Sequence, residues 1–238
     1  MSDQARLVTC RYLFAFPDGS RRQFLIRLDH DSLEMVVDPR ESYPPWTELG
    51  YKRCPNCPLD ESQHRLCPIA RNLVDVVEFL EDRLSYQEVE VSVEHHERRY
   101  SKRTTLQQAA GSLIGIFTVT SGCPVMNQLR PMVDTHLPFQ TPDESTYRTI
   151  SMYLMTQYFL HKRGEAADWD LRDLVHFLAE ARETNTAFCR RLQSIGVRDA
   201  SLNALSNLNA MGEITSLSIE TRDLARLERI FCPPRGRA

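Results

Sequence analysis

The eight residues "EVEVSVEH", Glu88 to His95, decide how this chain is put together. Val89, Val91 and Val93 alternate with Glu88, Glu90, Ser92 and Glu94, which is the period of a strand with one buried and one wet face. It is expected to join a sheet already begun at the N-terminus.

Upstream, that sheet is legible as a meander. Val8, Cys10, Tyr12, Phe14 and Phe16 alternate, "PDGS" at Pro17 to Ser20 makes a turn, and Phe24, Ile26 and Leu28 resume the pattern. "DHD" at Asp29 to Asp31 offers a second turn and Leu33, Met35 and Val37 a third strand. The segment Asp38 to Arg53 is rich in proline and turn formers, and carries the chain over an edge into a cysteine-rich loop. Ile69, Leu73, Val76, Val77, Leu80 and Leu84 then follow helical spacing, with polar residues between them.

Downstream of Glu88–His95 the pattern turns helical. Thr104 with Gln107, or Thr105 with Gln108, offers a capping box for "LQQAAGSLIGIFTVT". That helix is apolar on nearly every side and therefore buried, and Ala109, Ala110, Gly111, Ser112 and Gly115 leave room for a close neighbour. "TPDE" at Thr141 to Glu144 combines an N-cap, a first-turn proline and a capping acid, with Gly164 as the stop. A further helix starts near Asp170, buries Leu171, Leu174, Val175, Leu178, Phe188 and Leu192, and stops at Gly196. Asp199 caps another, and Leu217, Leu224 and Leu227 form one stripe near the end. The expected fold is α+β: an N-terminal antiparallel meander plus one further strand, a cysteine-rich crossover, and a C-terminal helical bundle. Residues 1–103 make the β-rich region and 104–238 the helical region, packed as one continuous core.

The 238 residues suffice to bury a core without disulfide staples, and 29 basic against 32 acidic side chains give a net charge of −3. That balance gives no general reason to attract nucleic acid or anionic membrane. The opening "MSDQARLVTC" lacks the apolar stretch of a signal peptide, and no run approaches a membrane span, so a cytoplasmic protein is expected. In that compartment seven cysteines read as thiols or metal ligands before they read as disulfides.

Four of the seven form a pattern. "RCPNCPLDESQHRLCPIA", Arg53 to Ala70, holds Cys54, Cys57 and Cys67, and "SGCPVM" adds Cys123. A gap of two residues lets Cys54 and Cys57 converge on one ion from a single turn, and a tetrahedral zinc site wants four such ligands. Proline suits the first position of a helix, so Cys67 and Cys123 are expected as N-caps, where backbone N–H groups favour the thiolate. His64 is the alternative fourth ligand. Zinc is expected first and an iron–sulfur cluster second, the spacing matching neither usual ferredoxin pattern. Haem has no Cys-x-x-Cys-His attachment sequence, and thioredoxin-like chemistry would want "CPNC" beside a βαβ unit. Cys10 and Cys189 read as core residues and Cys232 as a tail thiol.

Other candidates are thinner. His136, Glu144 and Tyr147 gather around a helix start, where a general base and a carboxylate could meet, although Glu144 is already explained as a capping acid. His95 to Arg103 is the most basic run, and its segment Arg98 to Arg103 would touch phosphate in a nucleic-acid-binding regulator, but it reads first as a solvated strand end.

The phrases "WTEL", "CPNCPL", "CPIA", "SGCPVM" and "HLPF" resemble an uncharacterised family of bacterial proteins, a domain of unknown function, over roughly Trp46 to Tyr153. The resemblance implies that the cysteine phrases form one module in a bacterial cytoplasm, and it supplies no activity. The sequence thus points to a metal-stabilised intracellular binding or scaffold protein with an unidentified protein or small-molecule partner. The rival is an iron–sulfur or thiol-dependent enzyme with its site near Cys123 and His136.

Overall fold

The structure, a computed structural model, describes residues 6–197, 199–221 and 223–233. Strand β1 spans Leu7–Ala15 and β2 Arg21–Asp29, joined by the expected turn, in which Gly19 takes φ +84 and Phe16 N–H donates to Ser20 O at 2.9 Å. Helix α1 runs Pro68–Leu80, β3 is Glu88–His95 and β4 is Arg98–Thr105. The four strands are antiparallel in the order β2-β1-β3-β4, so the stretch Glu88–His95 pairs directly with β1, Cys10 facing His95 and Phe14 facing Val91 in register. Tyr12, Phe14, Ile26, Leu28, Val91 and Val93 fill one face of the sheet.

Two parts of the sheet differ from the sequence reading. The segment Leu33 to Val37 is not a third strand: it keeps only one bridge, Leu28 to Met35, and Met35 N–H goes instead to Thr120 O at 2.9 Å. β2 therefore stays an edge of the sheet, and β3 pairs with β1 on the opposite side. Conversely, the basic run Arg98 to Arg103 is a complete strand, closed onto β3 by the two-residue turn His96–Glu97, with His96 at φ 52. Its charges identify an edge, since a row of arginines and lysines deters pairing with a second chain. Arg99 is occupied by Ser92 Oγ at 3.0 Å, and Arg103 pairs with Glu88.

The helical half follows as α2 Leu106–Val119, α3 Pro142–Lys162, α4 Arg172–Gln193, α5 Ala200–Glu220 and α6 Ala225–Phe231. A 3-10 helix, Met126–Val133, lies between α2 and α3. The small residues of α2 admit a neighbour as expected: a Cβ built on Gly111 would sit 3.4 Å from the Ala204 carbonyl oxygen of α5. One contiguous apolar core runs from the sheet through α1 and α2 into α4 and α5.

The helix starts were read unevenly. At α3 the capping box is present: Glu144 N–H donates to Thr141 Oγ1 at 3.3 Å and Thr141 N–H to Glu144 Oε2 at 2.7 Å. Thr141→Ala is therefore expected to cost about 1 kcal/mol in urea unfolding. At α2 the N-cap Thr105 makes no side-chain cap bond, and Thr104 bonds the Gln108 side chain instead. Asp199 precedes α5 but sends its carboxylate to Ser85 N–H at 2.5 Å and to Asn203 Nδ2 at 2.8 Å. The C-terminal stripe is split between α5 and α6, with Leu217 56% exposed. Among the described residues no helix is long and apolar enough to cross a membrane.

Candidate metal centre

The loop that carries the first three cysteines is built as a hairpin of irregular backbone. Glu48 and Leu66 bridge its base, Leu49 N–H donates to Arg65 O at 2.9 Å, and Cys67 N–H donates to Thr47 O at 2.8 Å. Arg53 acts as its filler, its guanidinium reaching the carbonyls of Cys57 and Leu59 and the Glu61 carboxylate. Cys57 N–H donates to Cys54 O at 3.1 Å, which closes the "CPNC" turn. The turn docks on α4: Asn56 Nδ2 donates to Glu180 O at 2.9 Å, and the Cys54 thiol faces Thr184 O at 3.9 Å.

Cys67 is the N-cap of α1 with Pro68 at the first helical position, as expected, though its sulfur makes no cap hydrogen bond. Cys123 differs slightly: Pro124 and Val125 form a turn before the 3-10 helix begins at Met126. Even so, the backbone N–H groups of Val125 and Met126 face the Cys123 sulfur. Both cysteines are buried, whereas Cys54 and Cys57 are half-exposed.

The four thiols, drawn from the loop, the start of α1 and the turn after α2, lie within reach of one another's charge. Burial pushes the Cys54 thiol up to about 12, the neighbouring Cys67 adds to that, Arg191 opposes it, and Cys57 and Cys123 contribute in turn. For Cys123 burial again dominates, the Met126 and Val125 amides work against it, and Cys67 and Cys57 reinforce it. The expected pull of the backbone N–H groups toward the thiolate is present at Cys123, but desolvation of the charged form outweighs the two N–H dipoles. A positive ion reverses that balance, since its charge is the largest local field and thiols release their protons on binding it. The thiols are near one another without forming a closed shell: among the described residues no three His, Cys, Asp or Glu side chains are grouped so as to hold a metal ion.

The remaining candidates disperse. His64 is exposed, in a turn where its own N–H and that of Gln63 both reach Asp60 O. Glu144 is consumed by the cap of α3, and Tyr147 is exposed and stacked on Phe231, ring centroids 5.7 Å apart. His136 turns inward, its Nε2 2.6 Å from the Tyr12 hydroxyl, which is also 2.9 Å from Ser112 Oγ. Burial, then His95 and Arg148, hold its pKa down at about 3, so it is a neutral imidazole within a core network. Two shallow surface hollows, one between α4 and α5 and one beside Phe79 and Arg83, contain none of these residues. Cys10 is fully buried, Cys189 half-buried and Cys232 exposed.

One residue escaped the sequence reading. Arg191, on α4, is 1% exposed and donates from Nη1 to Trp46 O at 2.9 Å and Glu48 O at 2.8 Å, and from Nη2 to Leu49 O at 3.4 Å. Nothing in "CRRLQ" distinguishes it from its exposed neighbour Arg190, except that its position falls on the buried stripe of α4 with Phe188 and Leu192.

Comparison with known proteins places these features in a family. The family model described as Domain of unknown function (DUF6901) matches residues 10–232, which include Cys54, Cys57, Cys67, Cys123, Arg191 and His136. No curated protein and no solved structure matches the chain.

Proposed function

The chain belongs to the DUF6901 family, and from that premise, which brings no activity with it, we propose a metal-stabilised binding or scaffold protein of the cytoplasm. Its metal, zinc first, would be held by Cys54, Cys57, Cys67 and Cys123. The observation that carries this reading is the convergence of four thiols from three separate elements into one another's electrostatic reach. Packing alone explains poorly why cysteines from a polar loop, a helix start and a distant turn come within reach of one another's charge. Four thiolates suit a closed tetrahedral zinc site with no open position, which holds structure and performs no chemistry. The elements it would tie are those least supported by a regular ladder: the loop from Trp46 to Leu66 and the turn after α2.

Zinc supplies the charge that draws protons from buried thiols. The chain's own part is to present those thiols from fixed backbone, with the "CPNC" turn on α4, Cys67 on Thr47 O and Cys123 on the Val125 and Met126 amides. An enzyme reading has less behind it, since His136, Glu144 and Tyr147 are each committed elsewhere. The test is metal analysis with an absorption spectrum of anaerobically purified protein. Colourless protein with one zinc per chain is expected. Brown protein with iron and labile sulfide would replace zinc by a cluster, and protein that neither retains nor takes up metal would refute the reading altogether.

A further inference from the structure

Independently of the metal reading, we infer that the outer face of α3 is the interface of a two-fold homodimer, in which this helix pairs antiparallel with the α3 of a second copy. An ordinary surface helix buries its apolar stripe and shows its polar one. α3 does the reverse. Its buried side chains are Ser145, Thr146, Thr149, Ile150 and Gln157, all polar but one. Thr146 Oγ1 lies 3.1 Å from Thr215 Oγ1 of α5, and Gln157 Oε1 accepts from Asp168 N–H at 2.9 Å. Tyr147, Met155, Tyr158 and Phe159 face outward instead, and Phe231 of α6 stacks on Tyr147 beside the exposed Ile230. Each of these apolar side chains is between 42% and 62% exposed. At about 200 Å² for a whole large side chain, they leave roughly 600 Å² of apolar surface open, which is at the upper limit for a monomer. With a polar rim, it matches the roughly 800 Å² that each partner contributes to a stable interface.

Spacing and charge identify the occupant. Tyr147, Ser151, Leu154 and Tyr158 follow one another at intervals of four, three and four residues, the spacing of a seam along which two helices pack. That order reads the same in both directions. An antiparallel copy therefore sets Tyr147 against Tyr158 and the small Ser151 against Leu154, each pair occurring twice about one axis, as an isologous interface requires. The helix ends agree with this register. Asp143 and Glu144 lie in the first turn of α3, and His161 and Lys162 in the last. Asp143 thus comes opposite Lys162 of the partner subunit, and the two helix dipoles oppose one another. A parallel pair would instead bring like charges together at both ends. A helix that lies on a membrane carries Lys and Arg along its polar face, whereas the polar face of α3 is buried and uncharged.

Sedimentation equilibrium of the full-length protein in reductant tests the inference, the reductant removing any pair linked through the exposed Cys232. A dimer is expected at about 10 μM protein. Tyr158→Glu puts a charge into the seam at an exposed position, so the fold is kept while association weakens by about 100-fold or more. Lys162→Asp sets acid against acid at both ends and is expected to weaken association by about tenfold. Adding Asp143→Lys to the same chain restores it, which only the antiparallel register allows. A parent chain that stays monomeric at about 100 μM overturns the inference and leaves the metal reading standing. So does a dimer that Tyr158→Glu leaves intact, and a second charge reversal that fails to restore pairing overturns the antiparallel register.

Discussion

On the zinc reading, replacing Cys123 by serine is expected to lower zinc affinity by roughly a hundredfold and to remove about 3 kcal/mol of the stabilisation a bound metal would give. Structural zinc sites bind with an apparent 10–16 kcal/mol, so one of four ligands accounts for about 3 kcal/mol, or some two decades. Serine keeps the size and the backbone contacts of the turn, including the Val125 and Met126 amides that face the sulfur, but a hydroxyl is a poor ligand for zinc at neutral pH. The effect should be larger than that of removing His64, which lies exposed in its turn. Cys189→Ser and Cys232→Ser are the controls, one half-buried and one exposed, and both should retain one zinc. A Cys123→Ser protein that keeps a full equivalent of zinc at parental affinity would show that the long-range ligand is wrong, and the three loop cysteines would then need another partner.

What the sequence conveyed follows from the kind of signal each element carries. Where side chains alternate or repeat at 3.6 residues against a single core, burial alone dictates the element. Hence β1, β2, β3, α1 and the buried α2 were legible, and Glu88–His95 was correctly joined to the N-terminal sheet. The capping box of α3 was legible because its two bonds are local in sequence. Strand β4 was hidden, since its pattern records avoidance of a neighbouring chain, and its only apolar side chain is Tyr100. The supposed third strand failed for another reason: Leu33 to Val37 alternates and touches β2 at the Leu28–Met35 bridge, but Leu33 takes φ 57 and Met35 N–H is drawn to Thr120 O at the end of α2. A partner so distant in sequence leaves no trace in the segment itself.

The site divides in the same way. Cysteine spacing pointed to Cys54, Cys57 and Cys67 as neighbours, and the repeated Cys-Pro pointed to Cys123, but the balance between burial and helix-start dipoles could be struck only once the depth of each sulfur was fixed. Arg191 was beyond reach for a plainer reason. Its partners are the carbonyls of Trp46, Glu48 and Leu49, and backbone groups carry no residue identity that a sequence could advertise.

His136 sets the second large effect, on acid stability. With the imidazole neutral, Tyr12 O–H can donate to its Nε2 and Ser112 O–H to the Tyr12 oxygen, so the three groups satisfy one another in the core. Protonation removes the imidazole as an acceptor, so the Tyr12 hydroxyl must turn to Ser112 Oγ, and it places a cation beside His95 and Arg148, whose charges both resist it. The folded pKa is about 3 against an ordinary 6.5, so between those values the unfolded chain holds a proton that the native chain refuses. Stability is therefore complete above about pH 6.5 and falls as the pH drops through that value, by about 1.4 kcal/mol per unit for one proton. His95, also shifted down by burial, adds in the same direction. From pH 7.5 to 5 the expected loss through His136 is about 2 kcal/mol in urea unfolding, in a window above the range where carboxylates such as Glu144 protonate. His136→Gln keeps an acceptor for Tyr12 and has no proton to gain, so its stability should fall less over the same window by about that amount, although any acid loss of metal is common to both proteins. Parallel pH dependence in the two proteins would mean that the imidazole is already accessible to protons in the native state.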